Sequence, residues 1–155
     1  MKTPCLLLVL FPFTTALVSA QTAAPPATPA PVQPAAPDPV KHVTAPEAAK
    51  AIAAAAAESP AKTITVIDVR MPEEFAEGHL KGAQNIDISS PDFQKNLAKL
   101  DPAKTYLVHC AAGGRSTRSL SAFKKLGFKS IIHLDGGING WKEAGLPLEK
   151  PAPAK

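Results

Sequence analysis

Tyr106–Phe123 reads YLVHCAAGGRSTRSLSAF. A short apolar run ends at Cys110, passes through Gly113 and Gly114, and enters a segment that alternates basic and apolar residues. TYLVH has the β-branched and aromatic content of a buried strand. RSTRSLSAFKKLG has helical spacing, with Leu120, Phe123 and Leu126 on one face and Gly127 as its stop. The cysteine therefore falls where a strand turns into a helix. In α/β sheets this end of the strand is where ligands bind.

The loop CAAGGRS has the composition of an anion bowl. Gly113 and Gly114 permit positive φ and close backbone approach, so successive N–H groups can point inward. The helix that follows adds the positive end of its dipole. Arg115 supplies a lasting cation with a planar set of donors. Together these features favour a thiolate at Cys110 and nucleophilic attack on an anionic substrate. Cysteine is also among the most buried residue types, but that reading leaves the glycines and Arg115 unexplained. His109 precedes the cysteine in the strand and points to the opposite face. It reads as a satisfied histidine there, not as a base for Cys110.

The segments around this loop alternate between helix and strand signals. TAPEAAKAIAAAAAE is a helix, with Thr44 and Glu47 spaced as a capping box. TITVIDV, between Pro60 and Pro72, is a buried strand. PEEF opens a short helical turn, and GHLKGAQNI leads to a strand ending near Ile88. SPDFQKNLAKL predicts a helix with Ser90 as N-cap and Pro91 at its first position. SIIHL is the next strand and INGWKEAG a short last helix. The pattern predicts one α/β domain over residues 40–148, with a central parallel sheet flanked by helices on both faces.

The ends of the chain have different compositions. Residues 1–20 carry Lys2, the apolar run CLLLVLFPFTTALV and the small residues VSA, which together predict a signal peptide cleaved after Ala20. Pro12 and two threonines interrupt that run, which is short for a bilayer span. Residues 21–39 are mostly Ala, Pro, Thr and Gln and read as an extended linker, and 149–155 as a flexible tail of similar composition. The expected location is periplasmic or secreted. Cys5 leaves with the signal, so Cys110 becomes the one cysteine of the mature chain and no internal disulfide can form. The net charge of +4 falls to +3 without Lys2 (4 − 1), and the basic residues are scattered. Lys124–Lys125 read as a solvated helix face, and nothing points to nucleic acid.

CAAGGRS, preceded by IDVRMPEEFAEGHLKGAQNI and followed by LDGGINGWKEAGLP, resembles a single-domain rhodanese, a thiosulfate-type sulfurtransferase. The likeness spans nearly all of residues 40–148, with three blocks in the family's order. It implies that a sulfane-sulfur donor such as thiosulfate loads Cys110 as a persulfide, which cyanide or a thiol then unloads. The amides of Ala111, Ala112, Gly113, Gly114, Arg115 and Ser116 would cradle the outer sulfur, with Arg115 neutralising the donor. No metal or organic cofactor is implied. The partners would be small sulfur donors and acceptors, or a protein thiol.

The flanking blocks carry structural readings too. Asp68 and Arg70 read as a structural pair or a cap for the PEEF turn, while the resemblance puts them in the surroundings of the site. His79 fixes a turn, Gly136 and Gly137 serve a tight turn, and Trp141 plugs the core. Three rival functions stay open. A cysteine-dependent phosphatase uses five residues between cysteine and arginine, whereas Ala111 to Gly114 are four, a smaller bowl. A non-catalytic binding module usually lacks the cysteine. A thiol sensor or sulfur-relay protein would carry Cys110 oxidised or persulfidated.

Overall fold

A computed structural model of the chain describes residues 38–59 and 62–150. The predicted signal, most of the linker and the last five residues of the tail lie outside the described residues. Ten elements follow in order: β1 (Val40–Val43), α1 (Ala45–Glu58), β2 (Thr65–Asp68), α2 (Pro72–Glu77), β3 (Gln84–Asn85), α3 (Phe93–Leu97), β4 (Thr105–His109), α4 (Gly114–Lys125), β5 (Ser130–Leu134) and α5 (Gly137–Glu143). The strands form one sheet in the order β1-β5-β4-β2-β3. Every pair in it is parallel.

The alternation of side chains along β4 divides the core between the two faces of the sheet. Tyr106, Val108 and Cys110 pack on one face with Phe93, Leu97, Leu120 and Phe123 of α3 and α4. Leu107 packs on the other with Ala45, Ala48, Ile138 and Trp141 of α1 and α5. Both faces are thus covered, as the parallel pattern requires. β4 is central and buried from Tyr106 onward, so its carboxyl end holds Cys110 at a fixed position.

Several local expectations are met. Glu47 accepts the backbone N–H of Thr44 at 2.9 Å and its hydroxyl at 2.8 Å, closing the capping box on α1. Trp141 is buried and donates from Nε1 to the Pro147 carbonyl at 3.0 Å. His79 stacks on Phe75 and its Nδ1 lies 3.1 Å from the Phe75 carbonyl, which secures the turn after α2.

Others need correction. The strand VKHV at Val40–Val43 was not foreseen, because Lys41 and His42 are exposed and dilute the apolar signal. The fold also begins before Val40: the Pro39 carbonyl accepts Ile131 N–H at 2.8 Å, and Asp38 pairs with Lys124 at 2.9 Å. Glu149, read as tail, exchanges backbone hydrogen bonds with His79 at 2.8 Å. α3 starts at Phe93 with Asp92 as N-cap, not at Pro91. The Ser90 hydroxyl instead accepts Asp92 N–H in a turn ahead of the helix, a competing local use of serine. Leu126 is exposed, since it lies past the last turn of α4. β3 is only two residues long, although Ile86 and Ile88 still donate to Asp68 and Val69.

Beyond β2 the chain is fixed by a buried ion pair. Arg70 donates to both carboxylate oxygens of Asp68, from Nε to Oδ1 at 3.0 Å and from Nη2 to Oδ2 at 2.6 Å, and from Nη2 to the Gly78 carbonyl at 2.8 Å. Asn85 adds bonds from Nδ2 to the carbonyls of Asp68 and Arg70. Removing one member of such a pair leaves a charge buried and unpaired, which costs about 3–5 kcal/mol. Arg70→Ala is therefore expected to lose stability on that scale in urea unfolding, with the m-value unchanged. A loss under about 1 kcal/mol would contradict a structural role.

Candidate active site

The loop after β4 is shaped from below by the start of α5. Ile138 N–H donates to the Cys110 carbonyl at 2.8 Å and Asn139 N–H to the Ala111 carbonyl at 3.0 Å. With those carbonyls held on that side, the following amides are left to turn toward the sulfur. Gly137 makes the approach feasible. Its φ is +56°, and a Cβ there would collide with the Cys110 carbonyl oxygen and come within 2.7 Å of the Ala111 carbonyl oxygen. The GG pair of LDGG is thus a conformational and steric need, as its sequence suggested.

Above that support, Gly113 takes φ +97° and donates its N–H to Cys110 Sγ at 3.2 Å. Gly114 differs from expectation: it is the first residue of α4 and has no positive φ. Ser116 is fully buried, with its hydroxyl 3.5 Å from Cys110 Sγ, 2.8 Å from the Gly113 carbonyl and 2.9 Å from His133 Nε2. Thr117 also donates its hydroxyl to the Gly113 carbonyl at 2.9 Å.

Cys110 is 1% exposed, and it is a free thiol. Burial opposes its ionisation but is outweighed by the Ser116 hydroxyl and the amides of Ser116, Ala112 and Gly113, which hold the thiol below the ordinary range. Of the predicted cradle residues, Ala112, Gly113 and Ser116 turn amides toward the sulfur, and Ser116 adds its hydroxyl. The alanine side chains at 111 and 112 bring no charge to its rim.

Arg115 does not stand alone. Its guanidinium makes a two-pronged pair with Glu74 of α2, with both N···O distances at 2.6 Å. The two side chains are 24% and 27% exposed, at the edge of the bowl. Glu74 holds the guanidinium above its ordinary range, and the nearby Cys110 sulfur adds to that. Arg115 in turn holds the Glu74 carboxyl well below the usual carboxylate range. Glu74 was not identified from sequence. Glu73 and Glu74 both sit in the first turn of a helix, where acidic residues are common, and a contact 41 positions away leaves no local trace.

Asp68 and Arg70 lie elsewhere. Asp68 pairs with His109 in the β2–β4 register, on the sheet face opposite the Cys110 side chain. The structure brings neither to the sulfur. His109 is on that far face as well, but it is not satisfied as expected. Its Nδ1 lies 3.3 Å from the Cys110 carbonyl, while Nε2 has no hydrogen-bond partner and is 3.8 Å from Asp68. Burial pushes its pKa down, with Asp68 opposing, so the ring is neutral at neutral pH.

Residues 47–144 match the model of the rhodanese-like domain. The chain belongs to that family. Thiosulfate sulfurtransferase 16 of Arabidopsis thaliana is 32% identical over 93 residues, which cover 54% of this chain and 78% of that protein. The thiosulfate sulfurtransferase GlpE of Pseudomonas aeruginosa is 36% identical over 78 residues, 50% of this chain and 68% of GlpE. A probable adenylyltransferase/sulfurtransferase, MoeZ of Mycobacterium tuberculosis, is 40% identical over 86 residues, and only 22% of its length is spanned. A rhodanese-related protein from Thermoplasma volcanium superimposes with TM-score 0.59 and 31% identity, over 70% of this chain and 97% of that one. A Rhodopseudomonas palustris protein described as a possible tyrosine phosphatase shares the fold at TM-score 0.54 and 26% identity, over 71% and 85% of the two chains.

The thiol chemistry is open to a direct check. Alkylation of Cys110 by iodoacetamide follows the thiolate, so its pH midpoint should lie below that of a free thiol. Ser116→Ala removes the hydroxyl donor and should move the midpoint upward. A midpoint that stays put would exclude the Ser116 hydroxyl from stabilising the thiolate. By linkage, a lowered thiol pKa adds stability that is full above the unfolded-state value and is lost as pH falls through the folded-state value.

Proposed function

We propose that the protein is a sulfurtransferase that carries a sulfane sulfur on Cys110. The observation that supports this best is a buried thiol held below its ordinary pKa by inward amides and a hydroxyl, with a guanidinium at the rim. In the first half-reaction the Cys110 thiolate attacks the outer sulfur of thiosulfate. The S–S bond of the donor breaks, its electron pair leaves with sulfite, and a Cys110 persulfide remains. In the second, cyanide or a thiolate attacks the terminal sulfur, and the pair from the broken bond returns to Sγ. Thiocyanate or an acceptor persulfide leaves, so no external oxidant or reductant enters the cycle. The amides that stabilise the thiolate also stabilise the anionic persulfide, as an oxyanion hole stabilises oxygen.

Names of relatives support the same class, since proteins called thiosulfate sulfurtransferases are among them. The phosphatase reading draws on one structural neighbour's description, but four residues between Cys110 and Arg115 make a ring suited to a single sulfur atom. The leader-like residues 1–20 support export of this activity, and no helix among the described residues is long and apolar enough to cross a membrane.

Thiocyanate formation from thiosulfate and cyanide tests the proposal. Cys110→Ser should abolish turnover while leaving the unfolding transition in place; residual turnover near the parent rate would rule out the cysteine mechanism. The ion pair at the rim predicts a second result. Glu74 occupies the donors of Arg115 that an anionic substrate needs, so Glu74→Gln should lower KM for thiosulfate several-fold. Arg115→Ala should raise it about tenfold or more, the worth of a charge-assisted hydrogen bond. A higher KM in Glu74→Gln would mean that Glu74 positions Arg115 instead of competing for it.

A further inference from the structure

Behind the catalytic loop, at the β1 edge of the sheet, three donor atoms converge. His42 of β1 and His133 of β5 are register partners in the parallel pair. Asp135 follows β5 and is tied to β1 by its N–H donating to the Val43 carbonyl at 2.9 Å. His42 Nδ1 lies 3.0 Å from Asp135 Oδ1, His133 Nδ1 lies 2.9 Å from the same oxygen, and the two Nδ1 atoms are 3.2 Å apart. Two side chains open to solvent, His42 at 55% and Asp135 at 51% exposure, whereas His133 is buried.

Hydrogen bonds cannot account for all three contacts. If both rings carry a proton on Nδ1, both donate to the carboxylate and the 3.2 Å contact sets donor against donor. If one ring lacks it, that nitrogen's lone pair faces the Asp135 oxygen, acceptor against acceptor. Each assignment leaves at least one repulsive edge.

Ser116 decides which case applies. Its hydroxyl has one proton, and the Gly113 carbonyl 2.8 Å away can only accept, so that contact takes the proton and leaves none for His133. The 2.9 Å contact with His133 therefore requires Nε2–H to donate to Ser116 Oγ. In the neutral ring this leaves the lone pair on Nδ1, aimed at the cluster. A ring nitrogen fixed by a hydrogen bond at its other nitrogen is the usual arrangement of a metal-ligating histidine.

A cation removes the repulsion on every edge. Zn2+ with bonds of 2.0–2.1 Å in tetrahedral geometry holds its donors about 3.3 Å apart, a few tenths beyond the three spacings here. We propose that His42, His133 and Asp135 form a binding site for a divalent first-row transition-metal cation such as Zn2+. Two imidazole nitrogens and one carboxylate oxygen would hold it, with water in the remaining position on the solvent side. The donor set suits zinc, nickel or copper and not calcium or magnesium, which prefer oxygen ligands. The site is independent of sulfur transfer, although its buried ligand shares Ser116 with the Cys110 sulfur.

The test is calorimetric titration of Zn2+ into the untagged full chain, with Co2+ as a spectroscopic substitute. One saturable site is expected, with Co2+ giving tetrahedral d–d bands and no thiolate charge-transfer band. His42→Ala and Asp135→Asn remove exposed side chains and should keep the fold, as checked by thermal unfolding. Each should weaken Zn2+ binding by more than the roughly 10–100-fold expected when an outer partner is lost. Cys110→Ser should bind as the parent does. Saturating Zn2+ should raise Tm in the parent and in Cys110→Ser, but not in the two ligand variants. Three results would each overturn the proposal: no saturable binding by the parent, equal binding by His42→Ala, or loss of binding in Cys110→Ser.

Discussion

The two amides at the start of α5 that capture the carbonyls of Cys110 and Ala111 constrain everything above them. A peptide whose C=O is bound on one side presents its N–H on the other, so this capture orients the loop around the sulfur. It needs α5 packed against the end of β4, which only a residue without a Cβ at position 137 allows. It also needs β4 to be rigid, and the burial of Tyr106 to His109 between two helical layers supplies that. The core therefore acts on the chemistry by aiming a backbone.

The sulfur sits in a balance of opposing forces. Burial alone would keep the thiol protonated, and only fixed dipoles at close range reverse this. Such dipoles require no reorganisation when charge moves onto or off the sulfur, which suits a group that alternates between thiolate and persulfide. Histidine enters that balance only at one remove: His109 lies on the other face, and His133 meets the Ser116 hydroxyl that in turn faces the sulfur. Charge at the mouth is controlled separately by Glu74 and Arg115, on two different helices.

Local features of the sequence were readable because their causes are local. Strand and helix alternate in composition, the capping box of Thr44 and Glu47 spans four residues, and CAAGGRS carries its own anion-binding logic. The family model and the parallel sheet agree with that reading. What escaped it depends on contacts distant in the chain. Glu74 meets Arg115 across 41 positions, His42 meets His133 across 91, and neither pairing leaves a mark in composition. The strand VKHV was lost because an edge strand can be half polar. Gly114 was overread because GG looks alike whether its second member bends the chain or opens a helix.

The most direct measurement is the intact mass of the folded chain before thiosulfate, after thiosulfate, and after cyanide is added. The account predicts a gain of one sulfur atom that maps to Cys110 and disappears as thiocyanate is released. A folded protein with a free, alkylatable Cys110 that never gains sulfur from thiosulfate would contradict it.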